Sequence, residues 1–205
     1  MKKLKRSFYS RNTLQVAEEL LGKYLVRKLQ DKLLIGKIVE VEAYMGEDDK
    51  AAHSYGGRRT ERNEVMYGEA AHIYVYFIYG MHYCFNVITE RVNVPRGVLV
   101  RALEPIEGLE LMALNRYKKS LEELTNREVK NLTNGPAKLC AAFNITRDHN
   151  GMDICKDEIY IAEEEKNKEN FEVVRTTRIN IDYAEEARFY PWRFYIKDNP
   201  YVSKK

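Results

Sequence analysis

Cysteine is scarce in this sequence. Three of the 205 residues are cysteines, far apart at Cys84, Cys140 and Cys155, and neither a Cys-x-x-Cys pair nor a Cys/His cluster with zinc-ligand spacing occurs. An odd, dispersed set excludes a full disulfide framework and favours a reduced, intracellular protein. No motif predicts a metal site.

Long apolar runs are missing as well. Nothing approaches the run of about 20 apolar residues that a membrane span requires. The basic stretch from Lys2 to Arg6 is not followed by the apolar segment of a signal peptide, so we expect a cytoplasmic protein with no membrane partner. We interpret residues 1–205 as a single domain, in which residues 1–10 form a flexible basic arm.

An excess of one charge sign is also missing, because 34 Lys and Arg face 31 Asp and Glu. A net charge of +3 does not by itself identify a nucleic-acid-binding protein. Arg58, Arg59 and Arg62, however, follow Gly56-Gly57 within a short loop. Such a loop is typical of phosphate contacts, although a solvated surface loop has the same composition. Tyrosine is abundant, with 15 residues, and it suits a wet stacking surface.

The segment Lys37–Tyr44 alternates between apolar and polar residues, which predicts a strand with one face toward the core. The polar face carries two carboxylates and a phenol, from Glu40, Glu42 and Tyr44. After a turn, His53 can fold back over Tyr44. A carboxylate, an aromatic ring and a histidine near one strand end suit proton chemistry. Any half-exposed strand shows the same alternation.

Residues 73–88 are too aromatic and β-branched for a helix and contain a break at Gly80. They predict a hairpin of strands Ile73–Ile78 and Tyr83–Ile88 with Tyr79 and Met81 at its tip. Apolar residues at a tip are typical of proteins that insert a wedge into DNA. Asn86 lies within an apolar strand, so the backbone or a ligand must satisfy its amide.

Further elements follow on each side of the hairpin. Asn12 or Thr13 caps a short helix that ends before Gly22. The strand Gly97–Leu103 contains Arg101, which is either an ion-paired structural residue or a phosphate contact. Glu104-Pro105 ends this strand and opens a helix from Ile106 to about Tyr117. Later strands are predicted at 171–174 and 178–181.

Taken together, these residues resemble the alkyladenine DNA glycosylase (3-methyladenine DNA glycosylase) family. The shared motifs occur in the family's order at Glu40–Tyr44 with His53-Ser54, Gly56–Thr60, Tyr74–Met81 leading to Asn86, Arg101–Pro105, Asn134–Cys140 and Trp192–Tyr195. The resemblance spans nearly the whole chain. It implies an α+β fold, with a single compact domain around a curved antiparallel β-sheet with flanking helices.

The resemblance also implies the reaction. A monofunctional enzyme of this family, working as a monomer without metal or cofactor, flips a damaged purine out of double-stranded DNA and hydrolyses its N-glycosidic bond in base excision repair. Its substrates include 3-methyladenine, hypoxanthine and related alkylated or deaminated purines. In a prokaryote such an enzyme would be associated with the nucleoid.

By position, Glu42 matches the general base that activates water, and Arg101 lies near the scissile nucleotide's backbone and that water. The base pocket is implied to consist of Tyr44, His53, Tyr76 and Asn86, where Asn86 obstructs the exocyclic amine of guanine. Tyr79 fills the gap in the duplex. We further expect DNA contacts from Met81 at the hairpin tip and phosphate contacts from Arg58, Arg59, Arg62, Arg101 and Lys138. The chain departs from many relatives at Asn180, where they have Gly, and at Ala70-Ala71-His72, where they have Pro-Gly.

Two other functions compete with this interpretation. Glu40 and Glu42 could be the acid/base pair of a sugar glycosidase, but positions i and i+2 of a strand lie only about 7 Å apart and point the same way, so they could not easily flank a bond. A non-catalytic nucleic-acid binder could use the tyrosines as a stacking platform. Such a binder has no need of the carboxylate of Glu42.

Overall fold

The hairpin of residues 24–44 is the centre of the sheet. The computed structural model describes residues 1–78, 80–164 and 170–204. In it, β2 (Tyr24–Leu29) and β3 (Lys32–Tyr44) are antiparallel around a turn at Gln30, whose φ is +53°. β3 is one continuous strand of 13 residues, which begins five residues before the predicted strand Lys37–Tyr44. Its length lets it pair with three other strands.

The described residues form nine strands in one sheet, and every pairing is antiparallel. The remaining strands are β1 (Lys2–Lys3), β4 (Ile73–Ile78), β5 (His82–Thr89), β6 (Arg96–Glu107), β7 (Ile159–Glu163), β8 (Val173–Thr176) and β9 (Arg193–Ile196). The order is β1-β7-β2-β3-β6-β5-β4, and β9 pairs with β3 beyond the end of β2 and carries β8. The predicted α+β class is confirmed.

Short helices complete the fold. The α-helices are α1 (Arg6–Tyr9), α2 (Thr13–Leu20), α3 (Leu109–Tyr117), α4 (Asn126–Lys130) and α5 (Pro136–Ala142). The 3-10 helices are Gly46–Asp48, Tyr55–Gly57, Glu61–Tyr67, Leu121–Glu123, Arg147–His149 and Asp182–Phe189. The side chain of Asn12 accepts hydrogen bonds from the amides of Leu14 and Gln15, which confirms the predicted cap of α2.

The main core lies between one face of the sheet and the helices α2, α3 and α5. The alternation predicted for β3 is confirmed, because Val39, Val41 and Ala43 are completely buried in this core. Leu20 of α2 and Phe143 after α5 pack in the same cluster. The polar side chains of β3 therefore point to the opposite face, where smaller apolar clusters surround the candidate site.

Two predicted element boundaries are wrong. β6 runs through Pro105 to Glu107, because a register shift opposite Gly36 gives the proline a place in the strand. The following helix consequently begins at Leu109 instead of Ile106. The strand predicted at 178–181 does not form. Instead, the main-chain N–H of Ile179 binds Glu42 of β3, and the side chain of Arg178 binds Asp49 in the loop after β3.

The first ten residues pack against the domain, in contrast to the flexible arm that the sequence predicts. Lys2 and Lys3 pair with β7. Leu4 and Tyr9 are buried, and Arg6 donates a hydrogen bond of 2.7 Å to Asp153. Apolar residues among the lysines supply the burial that holds this segment in place.

The predicted hairpin of β4 and β5 is confirmed. Tyr79 lies outside the described residues, so its role as a wedge stays a prediction. Met81, on the other side of Gly80, is 68% exposed, as expected for a tip residue. In the part of the chain that the structure describes, no helix has the length and apolar character to cross a membrane.

A strained backbone position provides a test of the fold. Glu185 has φ +47° and ψ −122°, a region that residues with a side chain rarely adopt. We predict that Glu185→Gly raises the free energy of unfolding by about 1 kcal/mol. Glu186 is the matched control, because both carboxylates bind Lys50 but the φ of Glu186 is not positive. Glu186→Gly should lower stability by about 0.5–1 kcal/mol in urea unfolding; equal effects would contradict the assigned conformation.

Candidate active site

Glu42 is a carboxylate with no exposure to solvent, on the polar face of β3 near the end of the strand. Its Oε1 accepts a hydrogen bond of 2.8 Å from the main-chain N–H of Ile179. Its Oε2 accepts one of 2.9 Å from the hydroxyl of Tyr44. Arg101 Nη1 lies 3.3 Å from Oε1. Three donors from three parts of the chain therefore hold this carboxylate in place.

Arg101 owes its position to irregular pairing between β3 and β6. The register shifts on both sides of Glu40, so that Arg101 has no partner opposite it in β3. Such a bulge redirects a side chain. The guanidinium of Arg101 is buried, with Nε 3.3 Å from Oε1 of Glu40 and Nη1 on Glu42. Of the two alternatives for Arg101, the structure favours the ion-paired residue over the phosphate contact.

A cavity opens beside this carboxylate, and Tyr44 connects the two. The ring of Tyr44 lines the cavity while its hydroxyl binds Glu42. With the open solvent at its mouth included, the space between its walls is about 440 Å³. Its lining consists of Tyr44, Ala51, His53, Met66, Tyr74, Tyr76, Asn86, Ile88, Gly97 and Tyr183. All four residues predicted for the base pocket are among them.

His53 forms a neutral, aromatic part of the wall. Its Nδ1 lies 2.9 Å from the hydroxyl of Tyr74, and its ring stands edge-on to Tyr76 at 4.6 Å. One side of His53 stays exposed at the cavity mouth. Desolvation of the packed side of the ring, followed by the positive charges of Arg62 and Arg58, lowers the pKa of His53 to about 4. The imidazole is therefore uncharged at neutral pH.

The tyrosines of the wall are uncharged too. Burial raises the pKa of Tyr74 to about 12, and burial also raises the pKa of Tyr76. The pKa of Tyr44 rises because of burial and, secondly, because of the neighbouring Glu42. The cavity thus presents flat, neutral rings, which suits stacking against a planar ring system.

Asn86 is held by the backbone of the hairpin. Its Nδ2 donates a hydrogen bond of 3.1 Å to the carbonyl of Tyr74, the residue opposite it in β4. The backbone therefore satisfies the amide nitrogen, in agreement with the first of the two alternatives left open by the sequence. The side chain has a fixed position in the cavity wall.

Arg178 and Asp49 belong to the site, and the sequence analysis missed both roles. The two side chains form a fully buried ion pair, in which Nη2 lies 2.7 Å from Oδ1. The guanidinium also lies 4.8 Å from the ring of Tyr44 and 5.0 Å from that of Trp192. Arg178 thus supports Tyr44 and holds the segment whose next residue, Ile179, binds Glu42. No local pattern indicates a pair separated by 129 positions.

Asn180 follows in the left-handed region, with φ +60°. Asparagine tolerates this conformation and glycine adopts it freely. The backbone conformation at this position therefore suits either residue.

The basic residues predicted to bind DNA separate into two groups. Arg58 and Arg62 line a second cavity, which shares Ala51, His53 and Tyr183 with the first. Arg59, by contrast, binds Glu64 and stacks on Tyr67.

Lys138 lies away from this cluster. It is in α5, on the other face of the sheet, and donates to the amide oxygens of Asn131 and Asn134 at 2.6 and 2.8 Å. The structure therefore brings Arg58 and Arg62 to the cavity but not Lys138. Tyr183, which is 70% exposed at the junction of the two cavities, was missed by the sequence analysis.

The site thus combines a buried carboxylate with a neutral aromatic cavity, and arginines lie at the mouth of this cavity. The family described as methylpurine-DNA glycosylase (MPG) matches residues 7–200 of the chain. The chain belongs to this family. It is a DNA glycosylase, a hydrolase that acts on N-glycosyl bonds in base excision repair, which confirms the resemblance stated above.

Bacterial relatives match along their whole length. A protein of Clostridium novyi is 58% identical over 205 residues, which are 100% of both chains. One of Clostridium acetobutylicum is 59% identical over 201 residues, or 98% of this chain and 97% of the relative. One of Bacillus cytotoxicus is 56% identical over 200 residues, or 96% and 97%. Each is provisionally named a 3-methyladenine DNA glycosylase.

The buried pair of Asp49 and Arg178 yields a stability prediction. Asp49→Asn leaves a buried guanidinium without its counter-charge, so we expect the free energy of unfolding to fall by about 3–5 kcal/mol. Glu64→Gln is the control, because it removes an exposed partner of Arg59 and should change stability by less than about 1 kcal/mol. Urea unfolding measures both. Similar small effects for the two variants would show that the buried pair is unimportant.

Proposed function

We propose that the cavity receives a damaged purine flipped out of duplex DNA, and that Glu42 activates the water that cleaves the N-glycosidic bond. The observation that carries this proposal is the position of Glu42, a fully buried carboxylate joined through Tyr44 to the cavity wall. We propose 3-methyladenine, the base in the relatives' name, as a substrate, together with hypoxanthine and related alkylated or deaminated purines.

The environment of Glu42 suits the chemistry. Cleavage of the N-glycosidic bond builds positive charge on the sugar, and a fixed carboxylate both stabilises that charge and accepts a proton from water. The N–H of Ile179, Arg101 and the hydroxyl of Tyr44 fix the orientation of the carboxylate before substrate arrives. In this proposal the water approaches Glu42 from the side of Tyr44, where the cavity lies.

The cavity wall supports selection among bases. Tyr44, Tyr76 and His53 offer uncharged ring surfaces for stacking, which is worth about 1–3 kcal/mol per base. Asn86 lines the same cavity, and we propose that it obstructs the exocyclic amine of guanine. Normal purines would then be rejected by contacts with the wall as well as by the cost of flipping a well-paired base.

DNA contacts are proposed around the cavity mouth. Arg58 and Arg62 are placed to bind phosphates, and exposed Met81 to contact the duplex, while Tyr79 remains the proposed wedge. We propose a monofunctional enzyme, since no motif position carries a lysine that could form a Schiff base. We further propose that it acts as a monomer in the cytoplasm, on the nucleoid of a bacterial cell.

The competing functions fit the site less well. Glu40 and Glu42 are both completely buried, and both contact Arg101, so they do not face each other across a groove for a sugar chain. A simple binder of single strands gains nothing from a carboxylate buried beside its aromatic residues, because burial of an anion is unfavourable.

The role of Glu42 has a direct test. Glu42→Gln keeps the shape of the side chain but removes the base, so we expect single-turnover release of hypoxanthine from duplex DNA to slow by about 10²–10⁴-fold. The Kd for DNA with a stable abasic analogue should change little, which serves as the control for folding and binding. Release at the wild-type rate would contradict the proposed function.

The low pKa of His53 predicts how pH affects the reaction. Because its pKa is about 4, His53 gains a proton only below that pH and stays neutral from about pH 5 to 8. We expect His53→Gln to lower the rate of base release while the shape of the pH–rate profile in this range is retained. Loss of an inflection between about pH 6 and 7 in the variant would show that a charged His53 takes part.

A further inference from the structure

Glu40, the second buried carboxylate of β3, has no part in the reaction proposed above, yet it is surrounded by donors. Its side chain has no exposure to solvent. Its Oε1 lies 3.3 Å from Arg101 Nε and 3.5 Å from Arg193 Nε. Its Oε2 accepts a hydrogen bond of 2.7 Å from the main-chain N–H of Ser203. These three groups fix the position of the Glu40 carboxylate, and Glu40 in turn fixes the position of the two arginines.

Arg101 is shared between the two carboxylates. Its Nε faces Glu40 and its Nη1 faces Glu42, each at 3.3 Å. The guanidinium is rigid and planar, so the position of Glu40 determines which edge of it Glu42 meets. In the present arrangement, Arg101 makes its hydrogen bond with Glu40, and its closest approach to Glu42 is through Nη1.

We infer that Glu40 is a positioning residue for the glycosylase reaction, which holds Arg101 so that Glu42 stays able to accept a proton. The inference rests on the proposed role of Glu42. Without the charge of Glu40, Arg101 is free to bind Glu42 through two nitrogens. A carboxylate bound in that way is stabilised in its charged form and becomes a weaker base.

The other ionisable groups near the pair come from five strands. They are Arg101 of β6, Arg193 of β9, Tyr44 of β3, Tyr76 of β4 and Cys84 of β5. Burial raises the pKa of Cys84 to about 11 and also raises the pKa of both tyrosines, so these three groups are neutral at pH 7. A change in the pH–rate profile on substitution of Glu40 therefore reports on the carboxylates and arginines.

The segment after β9 binds the second oxygen of Glu40, Oε2, which the two arginines do not approach most closely. In addition to the Ser203 N–H, Arg193 donates to the carbonyl of Lys204 at 2.5 Å, which fixes this segment beside the carboxylate. The Oγ of Ser203 is buried without a hydrogen-bond partner. Two substitutions therefore form a matched pair, because Ser203→Pro deletes the N–H and Ser203→Ala retains it.

The experiment compares Glu40→Gln, Ser203→Pro and Ser203→Ala in single-turnover release of hypoxanthine from duplex DNA across pH. We expect Glu40→Gln to slow release by about ten- to a hundredfold, the range for misplacement of a catalytic group. The acidic limb of its pH–rate profile should move to lower pH, while the Kd for DNA with a stable abasic analogue stays the same. Ser203→Pro should show the same changes relative to Ser203→Ala.

Wild-type rates and pH profiles for both Glu40→Gln and Ser203→Pro would overturn the inference. So would a slower Glu40→Gln enzyme that retains the wild-type acidic limb, because a purely structural role predicts that result. If Glu40→Gln does not fold, a rate ratio near one between the two Ser203 variants overturns it. Glu42→Gln separates this failure from failure of the proposed function, since only the latter predicts that Glu42→Gln remains active.

Discussion

The structure depends on the burial of two carboxylates on one strand. An anion removed from water is strongly destabilising unless donors replace its hydration. Glu40 and Glu42 obtain those donors from β6, from β9, and from the segments around residues 179 and 203. The need to satisfy both carboxylates therefore links the parts of the chain that form the site.

The sheet supplies the geometry for this arrangement. β3 lies between β6 on one edge and β9 on the other at the level of the carboxylates, and the bulge in β6 turns Arg101 toward them. Hydrophobic packing of α2, α3 and α5 on the opposite face leaves the polar face of β3 for the site. A rigid sheet thus holds the carboxylate, while the cavity wall comes from neighbouring strands and loops, as precise catalysis requires.

Local patterns predicted the elements that carry the site but not the contacts that complete it. The alternation in β3 and the hairpin of residues 73–88 are short-range features, and the structure has both. The family resemblance located the residues of the cavity wall. By contrast, the donors from Ile179 and Ser203 are main-chain groups, 137 and 163 positions away from their carboxylates, and any residue but proline provides them.

The alternation in β3 also allowed a strand with one face exposed to solvent, and this alternative is wrong because distant parts of the chain cover that face. Alternating Val and Glu predicts that the carboxylates face water. Contacts with Arg101 and Arg193 and with the segments around residues 179 and 203, which no local pattern predicts, bury them completely. Likewise, Asp49 and Arg178 meet only in the folded chain. Asp49 lies in a predicted loop and Arg178 in a predicted strand, and no local pattern relates the two positions.

We propose that Glu42 faces the positive charge that develops on the sugar during cleavage. A DNA duplex with a pyrrolidine in place of the target sugar carries that charge, whereas a tetrahydrofuran duplex of the same shape is neutral. The measurement is the ratio of their Kd values for the wild-type protein and for Glu42→Gln. We expect the wild type to prefer the charged duplex and Glu42→Gln to lose most of this preference; an unchanged ratio would contradict the proposed position of Glu42.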